Sequence, residues 1–306
     1  MAMETTNLAA PAGVRTGVKL SGFTHWQVGG EARYFIEPTT VEEVVEALAW
    51  AKAQALSWAA IGRGSNMLVS DDGFPGLVIR MGNAFSGVRF EDGRMHAQAG
   101  LALAQMVVQG HQHGLGGLEP MVGVPGTVGG AVTMNASMLE VAISAGFESG
   151  RVLLDDGTIA TWSYEDFRFS YRHSRLQDER GVFLDGTWTL KPIDPAEGRK
   201  QVRELQQWRN TKQPTNLPSG GSTFRNPGGG HPSAGALIEQ VGAKGLRIGQ
   251  AEVSEKHANF IVNLGGATAS DVNAVIKEVQ TRVWEQHHVW LHPEVVGLGL
   301  TVGHTR

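Results

Sequence analysis

Two glycine-rich segments have the residue types and spacing to hold an anionic ligand. They are Ile61-Gly62-Arg63-Gly64-Ser65-Asn66-Met67 and Gly123-Val124-Pro125-Gly126-Thr127-Val128-Gly129-Gly130. Closely spaced glycines let backbone N–H groups approach an anion, and Ser65, Asn66 and Thr127 add side-chain donors. Neither segment is a standard nucleotide motif. Met67 stands where a dinucleotide fingerprint needs its third glycine, and the second segment lacks the Lys-Ser/Thr ending of a P-loop. Each alone also reads as a plain tight turn. Taken together, and well separated along the chain, they point to a ligand clamped between two subdomains.

Three further segments carry chemically useful side chains: Ser170-Tyr171-Arg172-His173-Ser174, Pro218-Ser219-Gly220-Gly221-Ser222-Thr223-Phe224-Arg225-Asn226-Pro227, and His292-Pro293-Glu294-Val295. Taken singly, Arg172 reads as a surface guanidinium, Ser222 as the cap of a turn in a flexible loop, and Glu294 as a solvated carboxylate. His287, His288 and His292 include a pair four residues apart that can bind metal. No zincin-type carboxylate lies nearby and Pro293 ends any helix, so structural or solvent-facing roles are expected and no metal site is. Asn135-Ala136-Ser137 matches a glycosylation sequon but lies against the second glycine segment.

The elements that position these residues follow from composition and period. A chain of 306 residues exceeds a typical single domain, so two or three units are expected. Hydrophobic residues at 41% suffice for a buried core, and 41 glycines are an excess that belongs in turns and ligand-hugging loops. A net charge of −4 with 18% charged residues argues against a nucleic-acid binder. The absence of Cys excludes disulfides, thiolate chemistry and Cys-ligated metal. With no signal-peptide pattern and no run of ~20 apolar residues, the chain is expected to be cytoplasmic, with no membrane insertion.

Residues 32–36 read as a strand stopped by Pro38. Thr40 caps the following helix, with Glu43 completing a capping box, and Val41, Val44, Val45, Leu48 and Ala55 give its apolar face. Strands are expected at 58–61, 77–81, 182–190, 259–262 and 295–302, with hairpin turns at Asp92-Gly93 and Asp156-Gly157. Helices are expected at 103–113, 197–210 and 234–241, with a linker over 192–198 and a loop over 213–232. Ser270 is expected to cap a final helix carrying Val272, Val275, Ile276, Val279 and Val283. The fold class is α+β: a lead-in over 1–20, then blocks over 21–82, 83–195 and 196–306.

The order of the two glycine segments, followed by Met134-Asn135, resembles the FAD-binding domain shared with vanillyl-alcohol oxidase. Within that superfamily the chain resembles the UDP-N-acetylenolpyruvoylglucosamine reductase family. The likeness extends through Gly245-Leu246-Arg247-Ile248-Gly249 and Val253-Ser254-Glu255-Lys256-His257-Ala258-Asn259-Phe260 and covers nearly the whole chain beyond the lead-in. It implies a two-subdomain FAD-binding fold of the vanillyl-alcohol oxidase (PCMH) type, followed by a C-terminal α+β substrate domain. It assigns FAD contacts to Gly62, Gly64, Ser65, Asn66, Met67, Gly123, Gly126, Thr127, Gly129 and Asn135. The chain departs from the family at Arg63, where a small residue is usual, and at Ala136-Ser137, where Ala-Gly is usual.

The activity implied is NADPH-dependent reduction of UDP-N-acetylglucosamine enolpyruvate to UDP-N-acetylmuramate in peptidoglycan precursor synthesis, NADPH and substrate using one site in turn. The resemblance gives Arg172 the charge building on the substrate carboxylate, a role suited to a fixed, permanently charged guanidinium. Glu294, in a protonated or proton-sharing form, assists it. Ser222 gives the final proton to carbon. Tyr171, Arg225, Asn226, Lys256 and His257 would hold the nucleotide sugar, with Arg225 or Arg247 on its phosphates. Two other functions compete: an FAD-dependent hydroxy-acid or sugar oxidase on the same fold, and an inert nucleotide-sugar binding protein. Neither accounts for the conjunction of Arg172, Ser222 and Glu294.

Overall fold

A computed structural model describes residues 9–305. The chain forms two compact units, each assembled from separate stretches. The first comprises residues up to Thr16, Tyr34–Arg63 and Gly76–Gln207; the second comprises Gly17–Arg33, Gly64–Pro75 and Trp208–Arg306. Two separate hydrophobic cores match this division. Among the described residues no helix is long and apolar enough to cross a membrane.

The first unit is built on a five-stranded antiparallel sheet in the order Ile159–Ser163, Phe147–Leu154, Gly181–Thr189, Arg94–Gln98, Val88–Glu91. Asp92 and Gly93 join the last two strands with φ of 48° and 76°, the mirror-image turn that suits a strand's right-handed twist. Phe147, Phe167 and Trp188 pack edge to face under this sheet, with ring centroids 5.0 Å apart in both Phe147 pairs. A four-stranded sheet has the order Arg15–Lys19, Glu31–Ile36, Phe74–Arg80, Trp58–Ile61. The first three of these strands carry the chain from one unit into the other. The edge strand falls in the stretch expected as a lead-in; its nearly uniform exposure leaves no alternation to read. Residues 1–8, the rest of the expected lead-in, lie outside the described residues.

Helix α1 (Val41–Ala53) starts at Thr40, whose hydroxyl accepts from the Glu43 amide at 3.2 Å. The expected capping box is not reciprocal. The Glu43 carboxylate takes the amide of Thr39 at 2.6 Å instead of that of Thr40, and these bonds hold its pKa below the usual carboxylate range. Ala55 lies beyond the helix with φ of 52°. Helices α2 (Leu103–Gln112) and α3 (Val128–Met134) follow. The expected linker over 192–198 is shorter, because helix α4 (Pro195–Lys212) already begins at Pro195, a residue suited to a first helical turn.

In the second unit, helices α5 (Ala234–Gln240) and α6 (Ala269–His287) accompany a three-stranded sheet of Arg247–Ile248, Ala251–Val253 and Ile261–Asn263. The last strand begins two residues later than expected. Val272, Val275, Ile276, Val279 and Val283 of α6 are all fully buried, as their spacing requires. The cap of α6 is Thr268, not Ser270: Thr268 and Asp271 exchange side-chain-to-backbone bonds of 3.0 and 3.1 Å. Ser270 instead gives its amide and hydroxyl to Asp71, at 2.9 and 2.6 Å, while Ala269 gives its amide at 2.8 Å. The closing strand is confined to Val296–Leu298, paired in parallel with Met67–Val69. Gly299 with φ of 78° ends it earlier than the apolar run alone suggested.

Candidate active site

In the first unit the second glycine segment leads into α3, whose first turn is pinned by Val128 N–H to Leu101 O at 2.9 Å and Gly129 N–H to Ala99 O at 2.8 Å. Thr127, buried, faces Gly62, where any Cβ would collide with its hydroxyl. The two glycine segments therefore meet at a point that admits only glycine on one side. Asn135 closes α3 in the left-handed conformation, φ 40°. Its Nδ2 donates to Ser170 O at 2.8 Å, and its Oδ1 is buried without a hydrogen-bond donor among the described residues. A buried acceptor of that kind is costly unless a ligand meets it.

The C-terminal end of α3 holds the turn that carries Arg172. Thr133 O accepts from Ser174 Oγ at 2.7 Å and from Gln177 Nε2 at 2.9 Å. Ser170 and His173 exchange backbone bonds of 3.0 and 3.1 Å, leaving Tyr171 and Arg172 at the tip. Arg172 adopts φ of 57°, a strained choice for a non-glycine residue that the surrounding bonds enforce. Its guanidinium lies 5.1 Å from the exposed Tyr171 ring. It also donates to Ser137 Oγ and, at 3.2 Å, to Ser137 O.

The first glycine segment runs from one unit into the other. Among the described residues, the amides of Gly62, Arg63, Gly64 and Ser65 find no acceptor in the protein. Gly64 has φ of 59°, and a Cβ there would strike the Phe23 carbonyl. The Arg63 side chain is exposed, so its size meets no steric limit here. Met67 begins the strand paired with Val296.

The second unit joins Ser222 to Glu294 through backbone. Phe224 and Pro293 form an antiparallel bridge, flanked by Glu294 N–H to Thr223 O at 2.8 Å and Arg225 N–H to His292 O at 2.9 Å. On its other side Glu294 O accepts from Asn66 Nδ2 at 3.0 Å. Asn66 O in turn accepts from Val296 N–H at 2.9 Å, so the first glycine segment is tied to the stretch that carries Glu294. The Asn259 carboxamide bonds both backbone groups of Phe224 at 2.9 Å, and Asn259 O takes Thr223 N–H at 2.8 Å. Ser222 itself stays half-exposed beside fully buried Thr223 and Phe224.

Of the residues expected to hold a nucleotide sugar, Arg225 is half-buried, with its Nε buried and without an acceptor among the described residues. Burial keeps the pKa of His257 below the usual histidine range, with nearby Lys244 pushing the same way. Its Nδ1 accepts from Asn259 N–H at 3.2 Å, which leaves the ring proton on Nε2 as a donor. Asn226 Oδ1 is taken up capping α5, accepting from Ala234 N–H at 3.0 Å. Lys256 Nζ bonds the Asn210 carbonyl near the end of α4, and Arg247 bonds Gly249 O at 3.0 Å. Arg172 thus belongs to the first unit, Ser222 and Glu294 to the second. No local pattern marked Ser137, Thr133 or Asn259 as partners of the site, because each acts on a segment distant in sequence. Among the described residues no group of three or more His, Asp or Glu is placed to hold a metal ion.

The chain is similar to known proteins along most of its length. Residues 32–163 match the family model of an FAD binding domain, and residues 213–298 match that of the UDP-N-acetylenolpyruvoylglucosamine reductase C-terminal domain. A UDP-N-acetylenolpyruvoylglucosamine reductase of Parasynechococcus marenigrum is 43% identical over 303 residues, spanning 98% of this chain and 99% of the relative. One from Caldicellulosiruptor saccharolyticus is 41% identical over 285 residues, 92% of this chain and 90% of the relative. The crystal structure of the UDP-N-acetylenolpyruvylglucosamine reductase of Thermus caldophilus superposes with a TM-score of 0.76 at 34% identity. That match covers 93% of this chain and 97% of the other.

Proposed function

The chain belongs to the UDP-N-acetylenolpyruvoylglucosamine reductase family, and from that membership we propose which of its own residues carry the reaction. It is an FAD-dependent oxidoreductase with the two-part FAD-binding fold and C-terminal substrate domain of that family. It reduces UDP-N-acetylglucosamine enolpyruvate to UDP-N-acetylmuramate, a step in peptidoglycan precursor synthesis. NADPH is proposed as the source of electrons.

The residues present suit the flavin nucleotide. The unsatisfied amides of residues 62–65 are donors for a pyrophosphate, and the buried Oδ1 of Asn135 is an acceptor for a ring N–H. Gly62, Gly64, Ser65, Asn66, Met67, Gly123, Gly126, Thr127, Gly129 and Asn135 are proposed to hold it. When bound, the flavin supplies hydride to the terminal carbon of the enolpyruvyl double bond.

The protein's part is to manage the charge and the proton that follow. Arg172 grips the substrate carboxylate, on which negative charge accumulates, and its fixed donors require little reorganisation as that charge develops. Glu294 assists from the segment just before the closing strand, its own backbone held on both sides. Ser222 gives its hydroxyl proton to the carbon bearing the ether oxygen and is reprotonated from solvent. Arg225 meets the diphosphate, and neutral His257 donates from Nε2 to the sugar nucleotide; Tyr171, Asn226 and Lys256 are proposed as further substrate contacts.

The observation that carries this assignment is the bridge between Phe224 and Pro293, which ties the residue after Ser222 to Glu294. The experiment is direct. Purified protein reconstituted with FAD should oxidise NADPH continuously, beyond the single reduction of its own flavin, only when the enolpyruvyl substrate is added, and mass spectrometry should find that substrate converted to its reduced lactyl ether. NADPH oxidation that consumes oxygen and leaves the substrate intact would instead favour an oxidase on the same fold.

A further inference from the structure

We infer that Ser137 is a positioning residue for the carboxylate-binding Arg172, holding its guanidinium by two bonds at once. The inference rests on the role proposed for Arg172 above. Arg172 sits on a strained turn, where φ of 57° sets the direction of the side chain but does not fix its far end. A free arginine has much rotamer entropy to lose on gripping a ligand. Ser137 removes that freedom beforehand. Its Oγ accepts from Nη1 and its carbonyl, at 3.2 Å, from Nη2. Those bonds hold both terminal nitrogens of the guanidinium and so set the plane in which it meets a carboxylate.

Ser137 is itself firmly placed. It opens a two-residue hairpin in which Ser137 pairs with Ala142 and Met138 with Val141. The hairpin turns through Leu139 and Glu140, at φ of 49° and 67°, and is closed by Ile143 N–H to Ala136 O at 2.9 Å.

The test compares two ligands on the oxidised, FAD-loaded protein by calorimetry: UDP-N-acetylmuramate, which carries the carboxylate, and UDP-N-acetylglucosamine, which does not. Ser137→Ala should weaken the first about 10-fold, the loss expected for one hydrogen bond to a charged group, and leave the second unchanged. Ser137→Thr, which restores a hydroxyl, should recover most of the loss. Steady-state kinetics should show the matching fall in kcat for the enolpyruvyl substrate, with FAD content and Tm held at the wild-type level. Equal weakening of both ligands, or of neither, overturns the inference. Arg172→Ala separates the two levels of the argument. If it fails to weaken the carboxylate ligand selectively, the reading of Arg172 falls and the inference with it. If it succeeds where Ser137→Ala does not, only the role of Ser137 falls.

Discussion

Arg172, the residue proposed to bind the substrate carboxylate, is held by partners remote in sequence. Its turn hangs from Thr133 and Asn135, and its guanidinium from Ser137. A lysine in its place keeps the charge but loses the planar fork that matches a carboxylate. Arg172→Lys is therefore expected to slow substrate reduction by about 10²–10³, the usual cost of losing one preorganised stabilising group. Rapid-mixing measurement of flavin reoxidation checks it, and a rate within a factor of about two of wild type contradicts the role. The residue types needed were legible in the sequence, but their roles came only from the likeness of ordered segments to a family. The bond Asn66 makes to the Glu294 carbonyl joins positions 228 residues apart. No spacing or period records a contact of that range.

At the scale of elements, periodicity located the helices well, and their ends were set by competition for backbone amides. Thr268 outcompetes Ser270 as the cap of α6 because Asp71, from a distant loop, takes the Ser270 hydroxyl. Burial would raise the pKa of Asp71, but the Ser270 hydroxyl and the amides of Ala269 and Ser270 outweigh it and hold it below the usual carboxylate range. Because the folded value is depressed, the stabilisation is complete above the unfolded value, near ~4, and is lost as pH falls through the folded one. Asp71→Ala should cost about 1 kcal/mol at neutral pH, a capping-sized loss. Thermal melts of the two proteins should converge on acidification; a gap that persists at low pH would count against this account. The hairpin of Leu139 and Glu140 gives the opposite sign. Both residues hold positive φ that glycine adopts freely, so Glu140→Gly should raise stability by roughly 0.5–1 kcal/mol, and chemical denaturation measures it. A lower midpoint would show that the Glu140 side chain offsets its backbone strain.

For the whole molecule, each of the two compact units draws on stretches separated in sequence, an arrangement that no local pattern records. The strand Arg15–Lys19, almost wholly exposed at a sheet edge, was invisible because nothing apolar alternates there. The reaction proposed for the molecule runs in two halves, and those halves separate experimentally. Anaerobic FAD-loaded protein is first bleached by NADPH, then mixed with UDP-N-acetylglucosamine enolpyruvate while the flavin absorbance is followed. Ser222→Ala should bleach at the wild-type rate and recover its colour about 10²–10⁴ times more slowly, the range a general acid supplies. Recovery by the variant as fast as by wild type would contradict the central claim that this hydroxyl delivers the proton.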